Sequence, residues 1–111
     1  MTLIDSLLID GTAAALVGET WLTGSASFPV TNPATGERLA QVADLGADET
    51  RQAVAAAEAA GAAWKKTTAK ERAALLRAWF LRIQEEAEGL AELMTLEQGK
   101  PLAESRGEVT Y

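Results

Sequence analysis

The hydrophobic pattern of this chain changes character once, near residue 46, and that change restricts its possible folds more than any other feature. Before it lie small residues, turn formers and short runs of β-prone side chains. After it, apolar residues recur every three or four positions, the period of an amphipathic helix. The expected organisation is a short β meander over residues 1–45 followed by a helical segment over 46–111, with about four helices. At 111 residues the chain is long enough for one domain of ordinary size and too short for two.

In the first segment, Trp21-Leu22 and Phe28-Pro29-Val30 read as short strands separated by Gly24-Ser25. Asn32-Pro33-Ala34-Thr35-Gly36 has the composition of a turn, and Glu37 to Ala43 then alternates in character. In the second, Asp48 is placed to cap an alanine-rich helix ending near Trp64, with Val54, Ala57, Gly61 and Trp64 along one stripe. Thr68-Ala69-Lys70-Glu71 has the spacing of a capping box, in which hydroxyl and carboxylate satisfy each other's free amides. The helix it opens carries Leu75, Leu76, Trp79, Phe80 and Ile83 on one face. A third helix holds Leu90, Leu93, Met94 and Glu97, with Gly89 at the joint before it. Gly99 then follows the helix end, and Pro101 takes the first position of a fourth helix, Leu102 to Tyr111. No stop signal precedes Tyr111, so the expectation is a chain cut within a longer protein.

Several functions are disfavoured by composition. Ten basic against sixteen acidic residues give a net charge of −6, which speaks against a nucleic-acid backbone or an anionic membrane surface as partner. Neither Cys nor His occurs, so thiolate nucleophiles, disulfides and imidazole bases are excluded within this chain. The first residues are partly apolar, but Asp5 and Asp10 interrupt them and no basic residue occurs before Arg38. That is not the pattern of a leader peptide, and the cytoplasm is the expected compartment. Glycine spacing of the dinucleotide-binding or P-loop kind is also lacking.

Three groups of residues have both a functional and a plainer reading. Glu97, near the end of an apolar-faced helix, is either a solvated residue pairing weakly with Lys100 or an oxygen ligand for a cation. Trp79 and Phe80 could stack on a ligand, but their spacing with Leu75, Leu76 and Ile83 favours packing in a core. Lys65, Lys66, Lys70 and Arg72 form a small basic patch among acidic neighbours, which reads as solvated surface.

Taken in order, these segments resemble the start of the aldehyde dehydrogenase superfamily. The resemblance is carried by Gly18-Glu19-Thr20-Trp21, Val30-Thr31-Asn32-Pro33-Ala34-Thr35-Gly36-Glu37 and Gly46-Ala47-Asp48-Glu49-Thr50. It continues through Thr68-Ala69-Lys70-Glu71-Arg72 and Leu93-Met94-Thr95-Leu96-Glu97-Gln98-Gly99-Lys100-Pro101-Leu102-Ala103-Glu104. The segments TAKERAALLRAWF and LMTLEQGKPLAESRGEVTY look most like the NAD(P)-dependent succinate-semialdehyde dehydrogenases.

The resemblance implies an α/β parent with a Rossmann-type cofactor domain, of which residues 1–111 would be the N-terminal part. It implies NAD or NADP as cofactor of the full-length protein and a homo-oligomer. It also implies chemistry in which a Cys thiolate attacks the aldehyde and a Glu later activates water. This chain has no Cys. The phosphate-binding and carboxylate-holding residues of the family also fall in segments it does not contain. No catalytic or cofactor-binding residue is therefore assigned, and the chain alone is expected to bind no cofactor and to be inactive. One site does carry over. The family's structural sodium or potassium site, built partly from a backbone carbonyl before the Asn-Pro turn and a carboxylate before Gly-Lys-Pro, would fall here on Val30 and Glu97. It would be incomplete without further ligands.

The first partner expected on this reading is the remainder of the same polypeptide. Large apolar residues contribute roughly 1.5–3 kcal/mol each when buried, so a helix whose apolar face lacks its cover leaves the chain marginal or self-associating. The competing reading is a stand-alone helical interaction module, or the remnant of a disrupted gene.

Overall fold

The computed structural model describes residues 3–111. Its two halves follow the change in periodicity. The described residues form α1 (Leu3–Ser6), β1 (Leu8–Ile9), β2 (Thr12–Ala13), β3 (Ala15–Val17), β4 (Thr20–Leu22), β5 (Ser27–Thr31) and β6 (Arg38–Ala43). The helices α2 (Ala47–Trp64), α3 (Ala69–Glu85), α4 (Ala87–Gln98) and α5 (Leu102–Thr110) follow.

β5 and β6 are antiparallel, joined by the Asn-Pro turn. Asn32 makes that turn: its Oδ1 accepts from Ala34 N at 2.9 Å and its carbonyl from Gly36 N at 2.8 Å, with Gly36 at φ +75°. β5 lies at the edge of a sheet ordered β1-β2-β6-β5. The bond from Asp44 N to Ala26 O (2.9 Å) fixes the alternation of the ladder and puts Pro29, opposite Gln41, at a non-hydrogen-bonded step. Its missing N–H therefore costs the sheet nothing. The register slips between Val30 and Thr31, which pair with Ala40 and Arg38, so Leu39 is the bulged residue.

The N-terminal strands lie outside the simple meander the sequence suggests. Asp10 (φ 49°) and Gly11 (φ 78°) form a two-residue turn that pairs β1 with β2, and β2 then runs parallel to β6. Trp21-Leu22 belongs to a separate hairpin, β3–β4.

The helices begin and end for local reasons. Gly46, not Asp48, is the N-cap of α2. Glu49 reaches back to Gly46 N (2.9 Å), while Asp48 turns outward to Arg51 Nη1 (2.6 Å). In α3 the capping box forms as expected, with Thr68 N to Glu71 Oε2 at 2.7 Å and Glu71 N to Thr68 Oγ1 at 3.2 Å. Arg72, from the basic patch, is half-buried and donates to the Thr67 carbonyl and hydroxyl, clamping the α2–α3 junction rather than facing water alone. The α3–α4 joint falls at Glu86 and not at Gly89. Gly89 sits inside α4, where an added Cβ would lie 3.0 Å from Leu3 Cδ2, so its bareness admits the N-terminal segment. Pro101 takes the cap position just before α5 rather than its first turn.

The expectation that Trp79 and Phe80 pack in a core does not hold within this chain. Trp79 is 65% exposed, Phe80 46%, and Leu75 and Leu76 58% each. Among the described residues only Ala91 and Ser105 are fully buried. Helical periodicity identifies an apolar face, but it does not supply the element that covers it.

Candidate functional site

The two residues singled out for a cation, Val30 and Glu97, are far apart in sequence and line one small cavity of about 60 Å³. Val30 enters from the edge strand β5 at its bulge, where Leu39 of β6 also lines the space. Glu97 enters from the last turn of α4. The segments that follow these two elements meet directly. Gly99 ends α4 in the left-handed conformation (φ +74°), its N–H bonded to Thr95 O at 2.8 Å. A Cβ there would stand 2.9 Å from Pro33 Cγ, so the residue after the helix must be bare for the Asn-Pro turn to approach.

Glu97 is exposed, as the plainer reading has it, but the pairing with Lys100 does not form. The Lys100 side chain, 20% exposed, carries its ammonium instead to Glu108 on α5. No hydrogen bond or ion pair engages the Glu97 carboxylate among the described residues, while neighbouring carboxylates at 88 and 108 are both paired. α5 is thus tied to α4 by two contacts and to the link before it by a third. Lys100 pairs with Glu108, Ser105 Oγ meets Thr95 Oγ1 at 2.8 Å, and Arg106 Nε donates to Glu88 at 3.0 and 3.2 Å. The Arg106 hydrogen bond holds the Glu88 carboxyl below the ordinary glutamate range.

The wall does not fit a hard cation by itself: Glu97 brings the one carboxylate among its lining residues, and the rest is aliphatic, with Ile4, Leu7, Leu8, Leu39, Val42 and Leu93. Among the described residues no cluster of three or more His, Cys, Asp or Glu could hold a metal by itself. The sequence did not reveal the contribution of Ile4, Leu7 and Leu8. The signal was the Asp10-Gly11 pair, a two-residue hairpin turn that folds the first residues back onto the sheet.

The family pattern of the aldehyde dehydrogenases matches residues 21–111, and the chain belongs to the aldehyde dehydrogenase family. Among its curated relatives, it is 52% identical over 99 residues to the NADP-dependent succinate-semialdehyde dehydrogenase of Escherichia coli, covering 87% of this chain and 20% of that one. To the glutarate-semialdehyde dehydrogenase of Pseudomonas putida it is 50% identical, with 87% and 21% covered. The crystal structure of succinate-semialdehyde dehydrogenase from Burkholderia pseudomallei superposes with a TM-score of 0.85 at 49% identity, over 88% of this chain and 21% of that one. The strand meander and helices are thus an N-terminal piece of the aldehyde dehydrogenase fold, and the chain spans about a fifth of the length of these relatives. Among the described residues no helix is long and apolar enough to cross a membrane.

Proposed function

We propose that residues 1–111 form the N-terminal part of the cofactor-binding domain of an NAD(P)-dependent aldehyde dehydrogenase that oxidises succinate semialdehyde to succinate. The observation that carries this reading is the 52% identity to a succinate-semialdehyde dehydrogenase, together with a superposition at TM-score 0.85 on a second one. The nicotinamide, when bound, supplies the hydride acceptor. The chain's own residues do something else. They build a frame in which the Asn-Pro turn, the end of α4 and the start of α5 are locked together by Gly99 against Pro33 and by the clasp of α5 on α4. With no Cys in the sequence, this stretch offers no thiolate to attack an aldehyde. Catalysis, cofactor phosphate binding and the homo-oligomer contacts belong on this reading to further sequence, in the cytoplasm.

A structural role for a monovalent cation completes the proposal. Val30 and Glu97 contribute two of its oxygen ligands, and the remaining ligands come from outside residues 3–111. The unpaired Glu97 carboxylate beside a small cavity supports this assignment.

The test is an aldehyde oxidation assay with NAD and NADP on this chain and on a protein in which the missing four-fifths of a relative is appended in frame. Succinate and glutarate semialdehydes serve as substrates. Turnover by the extended protein and none by the short chain is expected. Turnover by the short chain, or an extended protein inactive on both substrates, would overturn the reading.

A further inference from the structure

Along α3, Leu75, Leu76 and Trp79 are each more than half exposed. Leu75 also walls an open groove of about 540 Å³ between α2 and α3, with Ala57, Gly61 and Trp64 among its other walls. A Cβ added at Gly61 would meet nothing beyond its own helix within 4 Å, so the floor of the groove is bare. Trp79 lies one turn past Leu75, about 6 Å along the axis, so each chain presents a large aromatic knob beside an apolar hole. One edge of the same face carries Glu71, Leu75, Ala78 and Arg82, spaced four, three and four residues apart. Thr68 bonds to Oε2 of Glu71, and Arg82 gives Nη1 to Glu85, which leaves Oε1 and Nη2 open among the described residues.

We propose that two copies of this chain pair through α3 as an antiparallel two-fold dimer, Trp79 of each entering the α2–α3 groove of the other. The positions are self-complementary. Leu75 and Trp79 are centred on residue 77, and Glu71 and Arg82 on the step between 76 and 77. A two-fold axis at that point sets Trp79 against Leu75 and Glu71 against Arg82 of the second copy, each contact made twice. Glu71 and Arg82 of one helix are about 16.5 Å apart along its axis, too far to pair within one chain. A parallel pair would set like charges together, and a head-to-tail contact would leave one knob and one groove unfilled and so keep growing. The area suffices. The accessible surface is 8335 Å², roughly 2,400 Å² above that of a compact monomer of this mass, whereas one partner in a standard complex buries about 800 Å². The pairing belongs to the 111-residue chain itself and is separate from the oligomer expected of a longer protein.

Sedimentation equilibrium of the whole chain tests this, with the helicity of every variant checked by circular dichroism. The wild type should stop at two copies. Trp79→Ala should weaken pairing by about tenfold or more, and Arg82→Glu by about fivefold at low salt. Glu71→Arg and the double variant Glu71→Arg/Arg82→Glu both lack the capping carboxylate of α3, so comparing them isolates the charge pairing. The double variant should pair about fivefold more tightly than Glu71→Arg alone. A second measurement leaves the charges as they are. The chain has no Cys, so a short bismaleimide should join two copies of Leu76→Cys, close to the axis, and spare Leu81→Cys, on the opposite side of α3. A wild-type monomer, growth beyond two copies, equal pairing by Glu71→Arg and the double variant, or equal cross-linking of the two thiol variants would each overturn the proposal.

Discussion

Thr68 and Glu71 settle the start of α3 through three contacts confined to one turn. The Thr68 amide and hydroxyl both donate to the Glu71 carboxylate, at 2.7 and 2.8 Å, and the Glu71 amide donates back. The backbone bond from Thr68, then its side-chain bond, hold the Glu71 carboxyl below the ordinary glutamate range. The folded state therefore favours the ionised form. Its contribution is complete above the unfolded glutamate value and is lost as pH falls below that value through the depressed folded one. Thr68→Ala should cost about 1 kcal/mol in urea titration at neutral pH. In Glu71→Gln, helicity followed by circular dichroism should fall less steeply with acid than in the wild type. An unchanged acid slope would show that Glu71 does not contribute in this way.

The helix α5 is held by a buried contact and an exposed one, which should differ in strength. Ser105 is fully buried and its hydroxyl meets Thr95 at 2.8 Å. Removing it leaves the Thr95 hydroxyl short of a partner, and Ser105→Ala should cost about 1 kcal/mol. The Arg106–Glu88 pair is bidentate but open to solvent, with both side chains more than half exposed. Surface pairs of this kind are screened by salt. Arg106→Ala should therefore destabilise less than Ser105→Ala, and its effect should vanish between 50 mM and 1 M sodium chloride while that of Ser105→Ala persists. Urea melts at the two salt concentrations would decide it. At this scale too, the capping box, the Gly99 helix end and the apolar face of α3 were legible in the sequence. Each depends on residues within one or two turns of each other. The shift of the α3–α4 joint from Gly89 to Glu86 was not legible, because Gly89 answers to Leu3, some 86 residues away along the chain.

Taken whole, the molecule is more open than a protein of its size should be. Its accessible surface is 8335 Å² at 11.7 kDa, against roughly 5,900 Å² for a compact monomer of that mass. The radius of gyration is 16.7 Å where about 13 Å is usual. Much of the surplus is apolar, with Leu75, Leu76, Trp79 and Phe80 all exposed along one side of α3. The isolated chain should accordingly melt broadly and associate as its concentration rises. Sedimentation velocity should show Leu76→Lys/Trp79→Glu restoring a monomer without loss of helicity. A sharp melt from a wild-type monomer at high concentration would contradict this.

What the sequence determined by itself is local. The change of period near residue 46, the Asn-Pro turn, the Thr68 capping box and the bare Gly99 are each specified by neighbours a few positions apart. The contacts that make a site were decided only by the tertiary structure, because each joins side chains from distant segments. Val30 shares its cavity with Glu97, Gly99 admits Pro33, Lys100 chooses Glu108 over Glu97, and residues 3–9 fold back across the sheet. Periodicity could mark α3 as having a face to bury. Whether anything lies upon that face depends on packing between elements, which no local pattern encodes.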